Sequence, residues 1–331
     1  MRVLVIGGSG AFSSRLVALA AEAGHGLLVL SRGQRALPGG ARHVAADRLR
    51  LREHAATLRA FAPEVVVDAI CFQPAQAQDL VDLFSDARRV VLISSTDVYG
   101  EDVGGAPVDE SRAPAPVTGY ARGKLAAERV LLDGLGARAT VVRPSHMIGR
   151  GFHLTSPWSR NATVADRLRR GLPLPLIDGG RNLMTPVHAL DVARCVLATF
   201  EQAPADGEIF NAVGAEILTQ RRYLECAAAL LGGPPPQLLT LPAAQFRRHS
   251  DVGTALHFHR PYCPAKAARL LGHTPQSTLE IAMAEMLQHL QTQGLVAAAE
   301  SDPRFDRVCE LLLKQRDELD RLLAVEAAAP R

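Results

Sequence analysis

A short apolar run, Arg2-Val-Leu-Val-Ile6, opens directly into Gly7-Gly8-Ser9-Gly10-Ala11-Phe12-Ser13 and then into an amphipathic stretch that ends at Gly24. Buried strand, glycine turn and helix in that order leave few folds open. Backbone N–H groups at the start of such a helix face outward and favour an anionic group such as a pyrophosphate. Gly7 permits the turn, Gly10 the close approach, and Ser9, Ala11 and Phe12 complete the loop. Ser13 stands where a third glycine is usual, a place that demands a small residue for helix-on-strand packing.

The pattern then repeats. Strands are expected over 27–30, 43–46, 64–70, 89–94 and 139–142, with helices between them, one spanning about 75–84. Alternation at this spacing implies right-handed parallel crossovers, hence an α/β fold with a doubly wound parallel sheet of Rossmann type. Ligands in such a sheet lie beyond the C-terminal ends of the strands. Ile70 and Cys71 stand at one such end and are expected to line a dinucleotide. Asp47, after the third strand, is placed to accept from an adenine amine. The second strand ends in Ser31-Arg32 where an NAD-selective site carries an acid for the ribose hydroxyls. Arg32, with Arg35 nearby, suits a 2′-phosphate instead, so NADP is favoured and NAD remains open.

Composition sharpens a second feature. The chain has three lysines, Lys124, Lys266 and Lys314, against 34 arginines, and only four tyrosines. Tyr120 and Lys124 nevertheless lie four apart at the start of a helix expected over 118–134, on one face of it. Chance alone places a Tyr-x-x-x-Lys in roughly 4% of chains of this composition. An ammonium near a phenol favours the phenolate, which is what a base removing a hydroxyl proton needs. Ser95, in Ser94-Ser95-Thr96-Asp97-Val98-Tyr99-Gly100, can hold that hydroxyl by hydrogen bonding. His146, in the loop after the sixth strand, and Asp97 are the expected substrate contacts, with Arg260 in a late loop a third.

Region 1–150 therefore reads as the dinucleotide-binding part, 151–295 as a mixed region that returns partly to the sheet and forms a smaller substrate lobe, and 296–331 as a helical extension. Pro- and Gly-rich breaks such as 171–175 and 232–236 divide the second region into short elements. Leucines at helical spacing between 302 and 325 would pack on the body or against a second copy, so a homodimer is allowed. The +3 net charge is scattered, with no basic patch interleaved with aromatics, which speaks against nucleic acid. Five cysteines without a C-x-x-C pair suggest neither disulfide framework nor zinc site, and His257 and His259 lack partner ligands, so no metal is expected. No apolar run reaches membrane length and none reads as a leader, so a cytoplasmic protein with a small-molecule substrate is expected.

Taken together the motifs resemble the extended short-chain dehydrogenase/reductases, the NAD(P)-dependent epimerase/dehydratase family. The resemblance rests on Gly7-x-x-Gly10, Ser94-Ser95-x-x-Val98-Tyr99-Gly100, Asp109-Glu110-x-x-x-Pro114, Tyr120-x-x-x-Lys124 with Glu128, Arg143-Pro144, Val187-His188-x-x-Asp191 and Phe210-Asn211. It implies a catalytic Ser95, Tyr120 and Lys124, the lysine also holding the nicotinamide ribose. It further implies oxidation or reduction at a secondary alcohol or ketone of a sugar-like or nucleotide-sugar-like substrate. Two departures stand out. Met184 replaces the arginine that nucleotide-sugar members usually carry four residues before His188. Thr96-Asp97 supplies only half of the Asp-Glu pair that dehydratases use for water loss. A reductase of a smaller metabolite and a non-catalytic, dinucleotide-regulated binding protein are the alternatives.

Overall fold

The computed structural model describes residues 1–38, 40–155, 162–249, 257–296 and 303–327. In chain order the elements are β1 (Arg2–Ile6), α1 (Ser13–Glu22), β2 (Gly26–Ser31), β3 (Arg42–Ala45), α2 (Ala55–Ala60), β4 (Val65–Asp68), α3 (Pro74–Phe84), β5 (Arg89–Ile93), α4 (Gly119–Leu135), β6 (Ala139–Pro144) and β7 (Met147–Ile148). They continue with α5 (Thr163–Arg169), β8 (Leu174–Ile177), β9 (Leu183–Met184), β10 (Val187–His188), α6 (Ala189–Ala198), β11 (Ile209–Ala212), β12 (Leu218–Thr219), α7 (Gln220–Leu230) and β13 (Leu238–Leu241). Four helices follow: α8 (Ala243–His249), α9 (Ala265–Leu271), α10 (Leu279–Thr292) and α11 (Pro303–Ala327).

Two compact units result. The first takes Met1–Gly149, Thr185–Ile217 and Arg260–Ala282; the second takes Arg150–Met184, Leu218–His259 and Met283–Arg331. The first unit holds a seven-stranded sheet in the order β11-β6-β5-β4-β1-β2-β3. Every pairing within it is parallel. The order reverses at β1 and β4, which is the switch point where a doubly wound sheet opens a crevice for ligands. Strands β1, β4 and β5 are buried almost throughout, which is why they read as continuous Val, Leu and Ile runs rather than as alternating ones. The core beneath gathers Leu4, Ile6, Leu28, Leu30, Val66 and Leu92 with Leu80 and Phe84 from α3 and Leu131 from α4.

Several boundaries differ from the expected ones. β4 stops at Asp68 rather than 70, because the Asp68 carboxylate accepts from Ile70 N at 2.9 Å and turns the chain. Helix α6 ends at Ala198, where Thr199 Oγ1 donates back to Val196 O at 2.7 Å and competes with the helical pattern. Helix α4 begins at Gly119 under a Thr118 cap, whose hydroxyl accepts from Ala121 N at 3.1 Å.

The second unit pairs β13 with β8 in parallel and β12 with β9 antiparallel. Met184, at the end of β9, is buried. Helix α11 is anchored by its first turns: Phe305 and Cys309 are buried, Arg167 pairs with Asp306 at 2.6 Å, and Cys309 Sγ approaches Pro173 O at 3.3 Å. Among the described residues no helix is long and apolar enough to cross a membrane.

Candidate active site

The glycine loop is built around Ser13. Its hydroxyl donates to Gly7 O at 2.6 Å and accepts from Gly10 N at 3.0 Å, so the residue in the third-glycine position ties the loop to the first turn of α1. Gly7 adopts φ +82°, and a Cβ there would lie 2.8 Å from the Ile70 side chain. Only glycine fits. The loop opens on a cavity of about 460 Å³ lined by Gly7, Ser9 and Gly10, by Arg32, Arg35 and Asp47, and by Ile70 and Phe72. Ala11, Phe12 and Cys71 do not line it. Phe12 faces the core, and the Cys71 thiol is fully buried, with burial the chief cause that pushes its pKa up to about 12.

The lining of the cavity offers groups of the kind a dinucleotide needs: loop amides for phosphates, cations and a carboxylate. Arg32 and Arg35 are exposed beside it, and the Asp47 carboxylate caps the turn that follows by accepting from Leu49 N at 2.9 Å. Its floor carries a charge cluster that the sequence did not announce. Arg48 is buried and donates to Asp68 at 2.7 Å, Asp79 at 3.1 Å and Gln76 O at 2.5 Å. Burial alone would weaken that guanidinium's hold on its proton, but the Asp68 charge and hydrogen bonds to Asp68 and Asp79 more than offset it.

Beyond the cavity, at the C-terminal end of β5, Ser95 caps a 3-10 turn, Thr96–Tyr99, by accepting from Asp97 N at 3.2 Å. Tyr120 stands in the first turn of α4 and is 46% exposed. Lys124, one turn on, is 2% exposed and donates to Cys71 O at 2.8 Å and Ile93 O at 2.7 Å, the carbonyls that follow β4 and end β5. Its Nζ lies 5.8 Å from the Tyr120 ring centroid. Burial is the largest influence on it and brings its pKa down to about 8, against smaller upward effects of Cys71, Asp68 and Glu128. Asp97 pairs with Arg260, brought in from the late loop and buried. Tyr262, beside it, donates to Thr96 O at 3.2 Å. His146 is half-buried after β6, and its carbonyl accepts from Val187 N at 2.9 Å.

Several motif residues turn out to support rather than face the site. Glu128 accepts from Ser94 Oγ and takes a two-pronged pair from Arg143, at 3.0 and 2.6 Å, in a fully buried setting. Arg143 also sits 4.8 Å from the Tyr99 ring, whose hydroxyl donates to Asn211 Oδ1 at 2.8 Å. Asn211 N in turn donates to Glu110 at 2.6 Å. His188 and Asp191 hold the loop at 276–277, with Nδ1 of the histidine 2.8 Å from Ser277 Oγ. These contacts lock the ends of β5, β6 and β11 to α4, which fixes where Ser95, Tyr120 and Lys124 project.

A glycine loop over a cavity at the switch point, with a Ser, a Tyr and a Lys at the next strand end, offers the groups that a nucleotide-dependent oxidoreductase needs. The match to known proteins is specific: the NAD dependent epimerase/dehydratase family matches residues 3–212, and the chain belongs to that family. Among characterised relatives, the 2′-dehydrokanamycin reductase of Streptomyces kanamyceticus is 28% identical over 240 residues, 71% of this chain and 68% of that protein. The chloroplast stem-loop binding protein of 41 kDa b of Arabidopsis thaliana is 25% identical over 303 residues, 84% of this chain and 76% of that one. Similar folds include UDP-glucose 4-epimerase with UDP-glucose from Thermotoga maritima, TM-score 0.73 at 19% identity, covering 88% of this chain and 99% of that one. The dTDP-glucose 4,6-dehydratase from Bacillus anthracis in complex with NAD has TM-score 0.73 at 16% identity, covering 89% and 97%.

Proposed function

We propose that this protein is an NADP-dependent reductase or dehydrogenase acting at one secondary alcohol or ketone of a polar, sugar-like substrate. The observation that carries this reading is Lys124, drawn out of water at the ends of β4 and β5, one helical turn from a half-exposed Tyr120. NADP, when bound, would supply or accept the hydride. Gly7, Ser9 and Gly10 would hold its phosphates, Arg32 and Arg35 the 2′-phosphate, and Asp47 the adenine amine. Tyr120 gives a proton to the carbonyl oxygen, or takes it from the hydroxyl in the reverse direction, while Ser95 orients that oxygen. His146 is assigned to the substrate. The Asp97 carboxylate is committed to Arg260, so the pair shapes the substrate pocket rather than releasing water from the substrate. The reductase among the relatives supports net reduction over internal recycling.

Tyr120→Phe should lower single-turnover hydride transfer by about two orders of magnitude or more while leaving dinucleotide binding intact. A near-normal rate rejects the mechanism. Identifying the dinucleotide released from denatured protein separates the readings: tightly retained NAD favours an epimerase that recycles its cofactor, whereas freely exchanging NADP favours the reductase. No saturable binding of either would favour a non-catalytic role, to which the similarity with the stem-loop binding protein lends weight.

A further inference from the structure

The ring of Phe72 lies on Lys124. Its centroid is 4.3 Å from Lys124 Nζ and 6.2 Å from that of Tyr120, the two rings tilted by 46°. The same residue lines the dinucleotide cavity and is 41% exposed. Phe72 thus borders both the cavity and the Tyr120–Lys124 pair. An ammonium has three donors. Lys124 directs Nζ at two carbonyls, Cys71 O and Ile93 O, and the Phe72 ring occupies another side of the same nitrogen.

The backbone under this ring is fixed. Phe72 N donates to Gln76 Oε1 at 2.6 Å and Gln73 N to the same oxygen at 3.1 Å, as part of the capping box that starts α3. Phe72 O is pressed against α4 at Gly123, where a Cβ would come within 2.4 Å of it. The segment therefore cannot shift as a loop, and the ring can move only by rotation about its own side-chain bonds.

We propose that Phe72 is a rotating cover on Lys124, which the ribosyl-nicotinamide half of the dinucleotide must turn aside before it reaches the Tyr120–Lys124 pair. The proposal rests on the dinucleotide reading above. The adenine half, placed against Arg32, Arg35 and Asp47, does not need to reach Lys124. Displacing the ring gives up one cation–π contact, so removing the ring in advance favours binding of the whole dinucleotide more than that of the adenine half.

The test is a titration of the purified parent protein, Phe72→Ala and Phe72→Leu with two pairs of ligands. NADPH is compared with adenosine 2′,5′-bisphosphate, and NADH with ADP, so that the outcome does not depend on which dinucleotide is preferred. Phe72→Ala should bind the preferred dinucleotide about 2- to 30-fold tighter, the affinity equivalent of one cation–π contact. Phe72→Leu, which keeps apolar bulk without a π face, should also tighten, by less. The matching half-ligand, which does not need to reach Lys124, should change by less than the dinucleotide in both variants. Unchanged or weaker dinucleotide binding in both variants overturns the proposal, as does an equal change for dinucleotide and half-ligand. If the parent binds the half-ligand and the dinucleotide normally, such a failure concerns Phe72 alone. A parent that binds none of the four removes the dinucleotide reading and the cover with it.

Discussion

Lys124 gains two carbonyl partners and loses nearly all contact with water. A lysine in an unfolded chain titrates near 10.4, whereas burial brings this one down to about 8. Between those values the unfolded chain holds a proton that the folded chain has released, so the stability contributed by this residue rises with pH across the window. Below it the full penalty of burying the ammonium is present, about 3 kcal/mol by linkage. Urea unfolding of the parent and of Lys124→Met at pH 7.5 and pH 10 should therefore show the parent gaining on the variant as pH rises. A difference that stays flat would mean that the ammonium is solvated. At the cofactor end, Arg32→Ala should weaken NADP binding by about 1.5–3 kcal/mol and leave NAD nearly unchanged, read by titration. Equal losses for both would assign Arg32 to the loop's stability. The tyrosine, the lysine and the glycine loop were legible as residues because their chemistry and spacing are local. Phe72 was not, since the lysine whose ammonium it covers lies on another helix, 52 positions further along the chain.

At the scale of elements the parallel strands were recognisable because burial on both faces leaves continuous apolar runs. Their ends were less so. They depend on side-chain contacts such as Asp68 to Ile70 N, which local propensity does not encode. Helix α11 shows the same division. Its leucine spacing announced a helix, but Leu311, Leu319, Leu322 and Leu323 are all exposed, while Phe305 and Cys309 in the first turns are buried. A chain ending at Lys314 should then melt within a few degrees of the parent, since 315–324 are all exposed. A chain ending at residue 302 loses the buried Phe305, a deletion worth about 3–5 kcal/mol, and the Arg167–Asp306 pair, and should melt clearly lower. Thermal unfolding of the two truncations distinguishes these outcomes, and equal melting would show that the anchor lies elsewhere.

Across the whole molecule, the sequence alone carried the sheet architecture of the first unit and the family to which the chain belongs. Hydrophobic period, turn glycines and the Tyr-x-x-x-Lys spacing act over a few residues, and a linear chain displays such patterns directly. The second unit gave weaker signals, because its two-residue strands β9 and β12 carry almost no periodic pattern of their own. Tertiary structure alone decided which distant residues meet. Arg260 reaches Asp97 across 163 positions, Glu128 joins Ser94 to Arg143, and Arg48 joins Asp68 and Asp79 in the cavity floor. Arg260, Glu128, Ser94, Arg143, Arg48 and Asp68 are charged or polar and buried, and burial makes a partner obligatory without specifying which partner it will be. Crossover connections that bring the ends of β4, β5 and β6 side by side make that choice, and no window of sequence contains it.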